Sequence, residues 1–209
     1  MLADIAHYLQ LLKQTLFLNR AAFLELSKTG FNIAILVVFL AGLSQALGQS
    51  IVLFINKVSK RRFFFSLVLN AIIFTVGFFF LAISISFIVS FAYHQEKALK
   101  TVITITALAY LPYLFSFLTL APYFGSFISL MLSLWNLAAL ITAVSVVFSL
   151  NIYQALAASI LGWLLKQILR ATIGRPIQDL SKLIKKSIAG KPLEFSKQKL
   201  REIISKGKK

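Results

Sequence analysis

The side chains that could carry chemistry are few and far apart. His7 and His94 are the only histidines, six residues are acidic, and there is no cysteine. The missing cysteine excludes a thiolate metal site, a disulfide framework and a cysteine nucleophile. Two isolated histidines without a third ligand do not make a zinc centre, so no metal or cofactor is expected. No HExxH pair and no Walker or dinucleotide glycine motif occurs, and the serines lack a base. Apart from the cluster Lys57, Lys60, Arg61 and Arg62, the stretches Phe31 to Tyr93 and Thr101 to Leu150 hold no Asp, Glu, His, Lys or Arg. Enzymes and ion-coupled transporters that work inside a bilayer place ionisable groups there. Their absence speaks against paired intramembrane aspartates, a glutamate-based protease and a proton carrier, and no catalytic residue is expected.

The apolar stretches carry neutral amides instead. Gln45 and Gln49 lie four apart on one helical face, Asn70 and Asn136 follow, and small residues recur at the same spacing, as in Gly42 with Ala46 and Ala158 with Gly162. Such amides bond between membrane helices at about 0.6 kcal/mol each on average, and small residues let helices approach closely. Structural packing is one reading. The sharper one is a small polar cavity, lined by Gln45, Gln49 and Asn136, for a lipid or a partner helix.

The elements that must position these residues follow from composition and length. Hydrophobic residues make up 59% of the 209, mean hydropathy is +0.86, and the net charge is +16. Soluble domains sit near 45–50% apolar, so the excess requires a non-aqueous solvent. A span needs about 20 apolar residues. Segments 31–55, 63–93, 101–119, 123–148 and 152–169 meet that length. The fold class is therefore all-α: a polytopic membrane bundle of five transmembrane helices over 31–170. An amphipathic helix is expected over 2–28, on the membrane surface or against the bundle, within an N-terminal unit of residues 1–30. Residues 171–209 form a basic amphipathic tail.

The run from Thr101 to Leu150 is fifty residues, too long for one span, and its turn belongs at Leu120 to Gly125, where Pro122 and Gly125 break helix. Pro112 falls inside the third span. There it removes the bond to the Leu108 carbonyl and should kink the helix, leaving a carbonyl in need of a Ser or Thr hydroxyl. A kink could open a pocket beside Tyr110 and Tyr113.

In the tail, Ile173, Ile177, Leu180, Ile184 and Ile188 repeat at helical spacing, with Lys182, Lys185 and Lys186 mostly off that row. Those lysines are candidate contacts for anionic headgroups. In a soluble protein such charge would suggest nucleic acid; here the bilayer is the nearer anionic partner, and no nucleic acid is expected. The fifth span carries Lys166 and Arg170 near its end, placed to snorkel to headgroups. With five spans, one face collects 17 basic residues and the other 5. The positive-inside rule then puts the C-terminus in the cytoplasm.

The order ALAYLPYLFSFLTLAPYFGSFISLMLSLWNLAALITAVSVVFSLNIYQALAASILGWLL resembles the Yip1 family of five-span membrane proteins. Tyr110, Pro112, Pro122, Gly125, Trp135 and Ala155 to Gly162 carry the resemblance, which extends over roughly residues 30–170. It implies a non-enzymatic integral membrane protein. The acidic-tyrosine-glycine-proline motif of eukaryotic members has no counterpart, so their binding of small GTPases is not carried over. Their cytosolic N-terminus also runs against the charge count. The expectation is a membrane scaffold or interaction protein, with other membrane proteins as possible partners. The alternative is a transporter or channel component for a neutral or lipid-like substrate.

Overall fold

A computed structural model describes residues 2–48, 60–121 and 123–172. All regular structure among them is helical. α1 (Leu2–Leu16) and α2 (Arg20–Thr29) precede α3 (Phe31–Gly48), α4 (Lys60–Tyr93) and α5 (Leu99–Ala109). A 3-10 segment (Leu111–Leu120) continues from α5, and α6 (Gly125–Val147) and α7 (Ile152–Thr172) complete the order. Among the described residues four helical segments are long and apolar enough to cross a membrane: Phe31–Gly48, Leu67–Tyr93, Leu99–Leu120 and Gly125–Val147.

The single helix expected over 2–28 is two helices. Leu18 adopts a positive φ of 63°, and Asn19 caps α2 by accepting from the N–H groups of Ala21 and Ala22 at 2.9 and 3.2 Å. An asparagine in the N-cap position satisfies donors that no upstream turn can reach. The pair folds back as a hairpin, and His7 Nε2 meets Glu25 Oε1 at 3.0 Å across it. It lies against the bundle: Phe23 and Leu26 are completely buried and join one core with Leu108, Val144 and Ile85.

The third segment is central. Phe74 and Phe78 of α4 meet Tyr113 and Tyr110 respectively, so α4 runs antiparallel to it. α6 also runs antiparallel, since Asn136 reaches Ala109 and Ser133 pairs with Tyr113. α3 runs alongside in the same direction, with Lys100 over the Phe31 ring at one end and Ser44 on Leu114 further along. The expected turn before Gly125 is present: the 3-10 segment ends at Leu120, and Tyr123 takes a φ of 68°. Pro122 lies outside the described residues.

Glycines set the closest approaches. A Cβ on Gly42 would stand 3.1 Å from both Cα and O of Ala71, and one on Gly162 would stand 2.7 Å from Ile85 Cγ1. A Cβ on Gly48 would strike the Ser116 carbonyl oxygen and the Thr119 hydroxyl. Gly77 of α4 has nothing near its Cβ position. Gly48→Ala should therefore destabilise the bundle by about 1–3 kcal/mol. Gly77→Ala should be neutral or stabilising by about 0.5–1 kcal/mol, through helix propensity. Thermal unfolding of the two variants in one detergent checks the contrast.

Candidate functional site

At Pro112 the third segment changes from α to 3-10, where a kinked α-helix was expected. Proline has no N–H to give. The N–H of Tyr113 bonds to the Tyr110 carbonyl at 2.9 Å, three residues back. In an α-helix it would have bonded to Ala109. In a 3-10 helix the partner of Ala109 would have been the N–H of residue 112, which proline lacks. The carbonyl of Ala109 is thus orphaned in both registers. Asn136 of α6 supplies the donor, Nδ2 to O at 2.7 Å. The carbonyl that a side chain completes is thus that of Ala109, by an amide from α6; a Ser or Thr hydroxyl on the Leu108 carbonyl was expected.

One turn on, a second repair is made from α3. The N–H of Phe117 and the carbonyl of Leu114 would bond to each other in a regular 3-10 helix. The Ser44 hydroxyl stands between them, accepting from Phe117 N at 2.9 Å and donating to Leu114 O at 2.7 Å. Thr119 Oγ1 donates to Ser116 O at 2.7 Å, and Gly48 lies against both residues. Ten residues of 3-10 helix exceed the usual three or four. This one persists because its neighbours complete its hydrogen bonding.

Beside Asn136, Trp135 Nε1 donates to the carbonyl of Leu16 at 2.9 Å. Leu16 ends α1, so this carbonyl is one of those that a helix terminus leaves without a partner. Two consecutive side chains at the midpoint of α6 thus complete two helix ends, those of α1 and α5.

Around the junction lies an aromatic cluster. Tyr110, buried at 4% exposure, meets Phe74, Phe78 and Tyr113 edge to face, at centroid distances of 5.4, 5.6 and 5.5 Å. These rings fill the space where a kink could have opened a pocket. Lys166 of α7 donates from Nζ to the Tyr110 hydroxyl at 3.4 Å. Snorkelling to the headgroups was expected of Lys166; its ammonium turns into the bundle instead. Tyr110 lies at the middle of the 99–120 segment, so a cation comes to a depth that the composition of the spans had left free of charge. Ionisable groups at such depth are rare, and mark where function is looked for first.

Of the three amides expected to line a cavity, Asn136 gives its amide N–H to Ala109, Gln45 Oε1 is buried without a hydrogen-bond partner among the described residues, and Gln49 lies outside them. Pro112 is buried at the start of the 3-10 segment, and Gly125 opens α6 close against the Thr119 carbonyl. Lys182, Lys185 and Lys186 also lie outside the described residues. The roles of Ser44, Trp135 and Lys166 at the junction were missed. Only the Pro112–Asn136 pair left a trace in the sequence, as a proline-freed carbonyl and an apolar-span amide in adjacent segments.

No protein family, curated protein or solved structure matches this chain.

Replacing Asn136 by Leu leaves the Ala109 carbonyl unpaired, and Ser44→Ala leaves the Phe117 N–H and the Leu114 carbonyl to find each other. Each should cost about 1–3 kcal/mol, the penalty for a buried unsatisfied group. Urea or thermal denaturation in detergent reads it. Ser44→Ala should be the milder change if the 3-10 bond can close.

Proposed function

We propose that this chain is an integral membrane scaffold or interaction protein without catalytic activity. The observation that carries the reading is where the interior polar groups go. Ser44, Trp135 and Asn136 each end on main-chain groups of another helical segment. That chemistry holds a shape, because it spends these three side chains on the main chain of neighbouring segments. The five-span arrangement belongs to this proposal, with α7 as the fifth span and the C-terminus in the cytoplasm on the charge count. The likeness to the Yip1 family is in keeping with it. Residues 171–209 would then lie along the cytoplasmic leaflet, with Lys182, Lys185 and Lys186 on anionic headgroups.

A second reading, a transporter or channel component for a neutral or lipid-like substrate, is favoured by one set of observations. Gln45 Oε1 and the hydroxyls of Thr106 and Ser159 are buried with no hydrogen-bond partner among the described residues. Buried polar atoms are nearly always paired, so unpaired ones point to a guest or to water.

Neutralising Lys182, Lys185 and Lys186 to Gln should release a copurifying membrane partner or weaken tail association with anionic vesicles several-fold. Accessibility labelling of both termini should find them on opposite faces. If neutralisation leaves both partner and membrane association unchanged, the scaffold reading fails. Liposome flux that falls in Gln45→Leu and Gln49→Leu variants, with thermal stability in detergent unchanged, would move the assignment to transport; Asn136→Leu, which also breaks the bond to Ala109, is read against its stability loss.

A further inference from the structure

We propose that the tip of the α1–α2 hairpin binds the headgroup of an anionic phospholipid, drawn below the level at which headgroups lie around the rest of the bundle. The depth comes first. Trp135 holds the Leu16 carbonyl at the midpoint of α6, so the tip reaches half-way along a membrane-length helix. Elsewhere the apolar surface continues to that end of the bundle. Phe87 and Phe91 on α4 and Ile152 and Tyr153 on α7 are exposed there. On α6 the exposed apolar row of Phe127, Leu130, Met131 and Leu134 stops where the hairpin begins. The lipid-facing surface is therefore notched at the hairpin.

The notch is polar and cationic. Gln10, Lys13, Gln14, Phe17 and Asn19 line an open concavity of about 380 Å³. Asn19 spends its side-chain oxygen on the N–H groups of Ala21 and Ala22, so its amide nitrogen is what remains to offer a ligand. On the other flank, Arg20 donates to Ser145 Oγ at 3.0 Å and, with Leu24 and Ser149, borders a second concavity of about 390 Å³. Among residues with described side chains no carboxylate neutralises the pair. The acids there are Glu25, engaged by His7, and Glu96 in the loop after α4. Asp4 lies nine residues before Lys13 on α1, roughly 13 Å along the axis.

Lys13 and the amide donors of Gln10, Gln14 and Asn19 cannot be left against hydrocarbon at the depth of the tip. Arg20, beside Ser145 and Ser149 near the end of α6, adds a second cation on the outward flank. A phosphate diester offers the matching charge and acceptors. The occupant is a lipid and not a soluble anion because Phe17, 69% exposed, stands in the same concavity and needs an apolar partner. An acyl chain running down past Leu134 and Met131 supplies one.

Trp135 reports on the site directly, because its indole is bonded to the hairpin. In a Trp163→Phe background it is the only tryptophan. The full chain is reconstituted in phosphatidylcholine vesicles containing, at equal mole fraction, chain-brominated phosphatidylglycerol or chain-brominated phosphatidylcholine. Quenching of Trp135 should show a preference for the anionic lipid of about fivefold or more, the scale of one interfacial cation. Lys13→Gln with Arg20→Gln should abolish the preference, and Lys13→Arg with Arg20→Lys should keep it. Lys97→Gln with Lys100→Gln, the same change of charge elsewhere, should leave it intact. Equal quenching by the two lipids in the unmodified hairpin overturns the proposal. So does a preference that inorganic phosphate competes away, since the site would then take a free anion. Should the glutamine pair unseat the hairpin, seen as a shift of Trp135 emission in both vesicles, the lipid ratio of the intact hairpin decides.

Discussion

Every main-chain polar group inside a bilayer must find a partner within the protein, and this bundle turns on how that rule is met at Pro112. A proline in the middle of a span removes one donor and disturbs the register of its neighbours. Here the chain gives up the α register altogether. It runs on as 3-10 helix for ten residues, and the groups left over are met from outside. Asn136 takes the Ala109 carbonyl, and the Ser44 hydroxyl bridges Phe117 and Leu114. The third segment is stable in this form only while α3 and α6 stand beside it. The packing of three spans is thereby tied to one imino acid.

The register change also alters reach. Eleven α residues at 1.5 Å and ten 3-10 residues at about 2.0 Å, with one residue between them, extend roughly 38 Å, some 5 Å more than an α-helix of equal count. The segment is long enough to cross a hydrocarbon core of about 30 Å with length to spare. It then leaves the bundle at a turn where Gly125 sits close against Thr119. The slimmer 3-10 backbone lets Gly48 of α3 approach main chain, and the residues that allow this are small because anything larger would meet a carbonyl.

Charge enters the bundle by a route that hydropathy does not display. The spans themselves are nearly free of ionisable groups, yet Lys166 turns in to Tyr110 and Arg20 reaches Ser145 from a hairpin outside the spans. Both pairings set a cation against a hydroxyl on a spanning segment. The hairpin is held at its depth by Trp135, the neighbour of the asparagine that completes α5. Two adjacent side chains of α6 therefore join the cationic notch to the aromatic junction.

The amino-acid sequence by itself determined the all-helical class, the apolar stretches that form four helices of membrane-spanning length, the turn before Gly125 and the need for a partner at Pro112. Each is a local property: apolar length, charge placement and a missing N–H are readable along one chain. Tertiary structure decided the rest. Whether Pro112 kinks an α-helix or starts a 3-10 segment depends on Ser44 and Asn136, some seventy residues before and some twenty-five after the bonds they complete. Residues 2–28 read as one amphipathic stripe, because hydropathy shows an apolar face but not what covers it. The break at Leu18 and Asn19 and the burial of Phe23 follow from the groove between α5 and α6. Lys166 could have risen to the headgroups or turned to Tyr110, since a flexible four-carbon stem permits both. Its direction was settled only when the fold brought a tyrosine hydroxyl within reach.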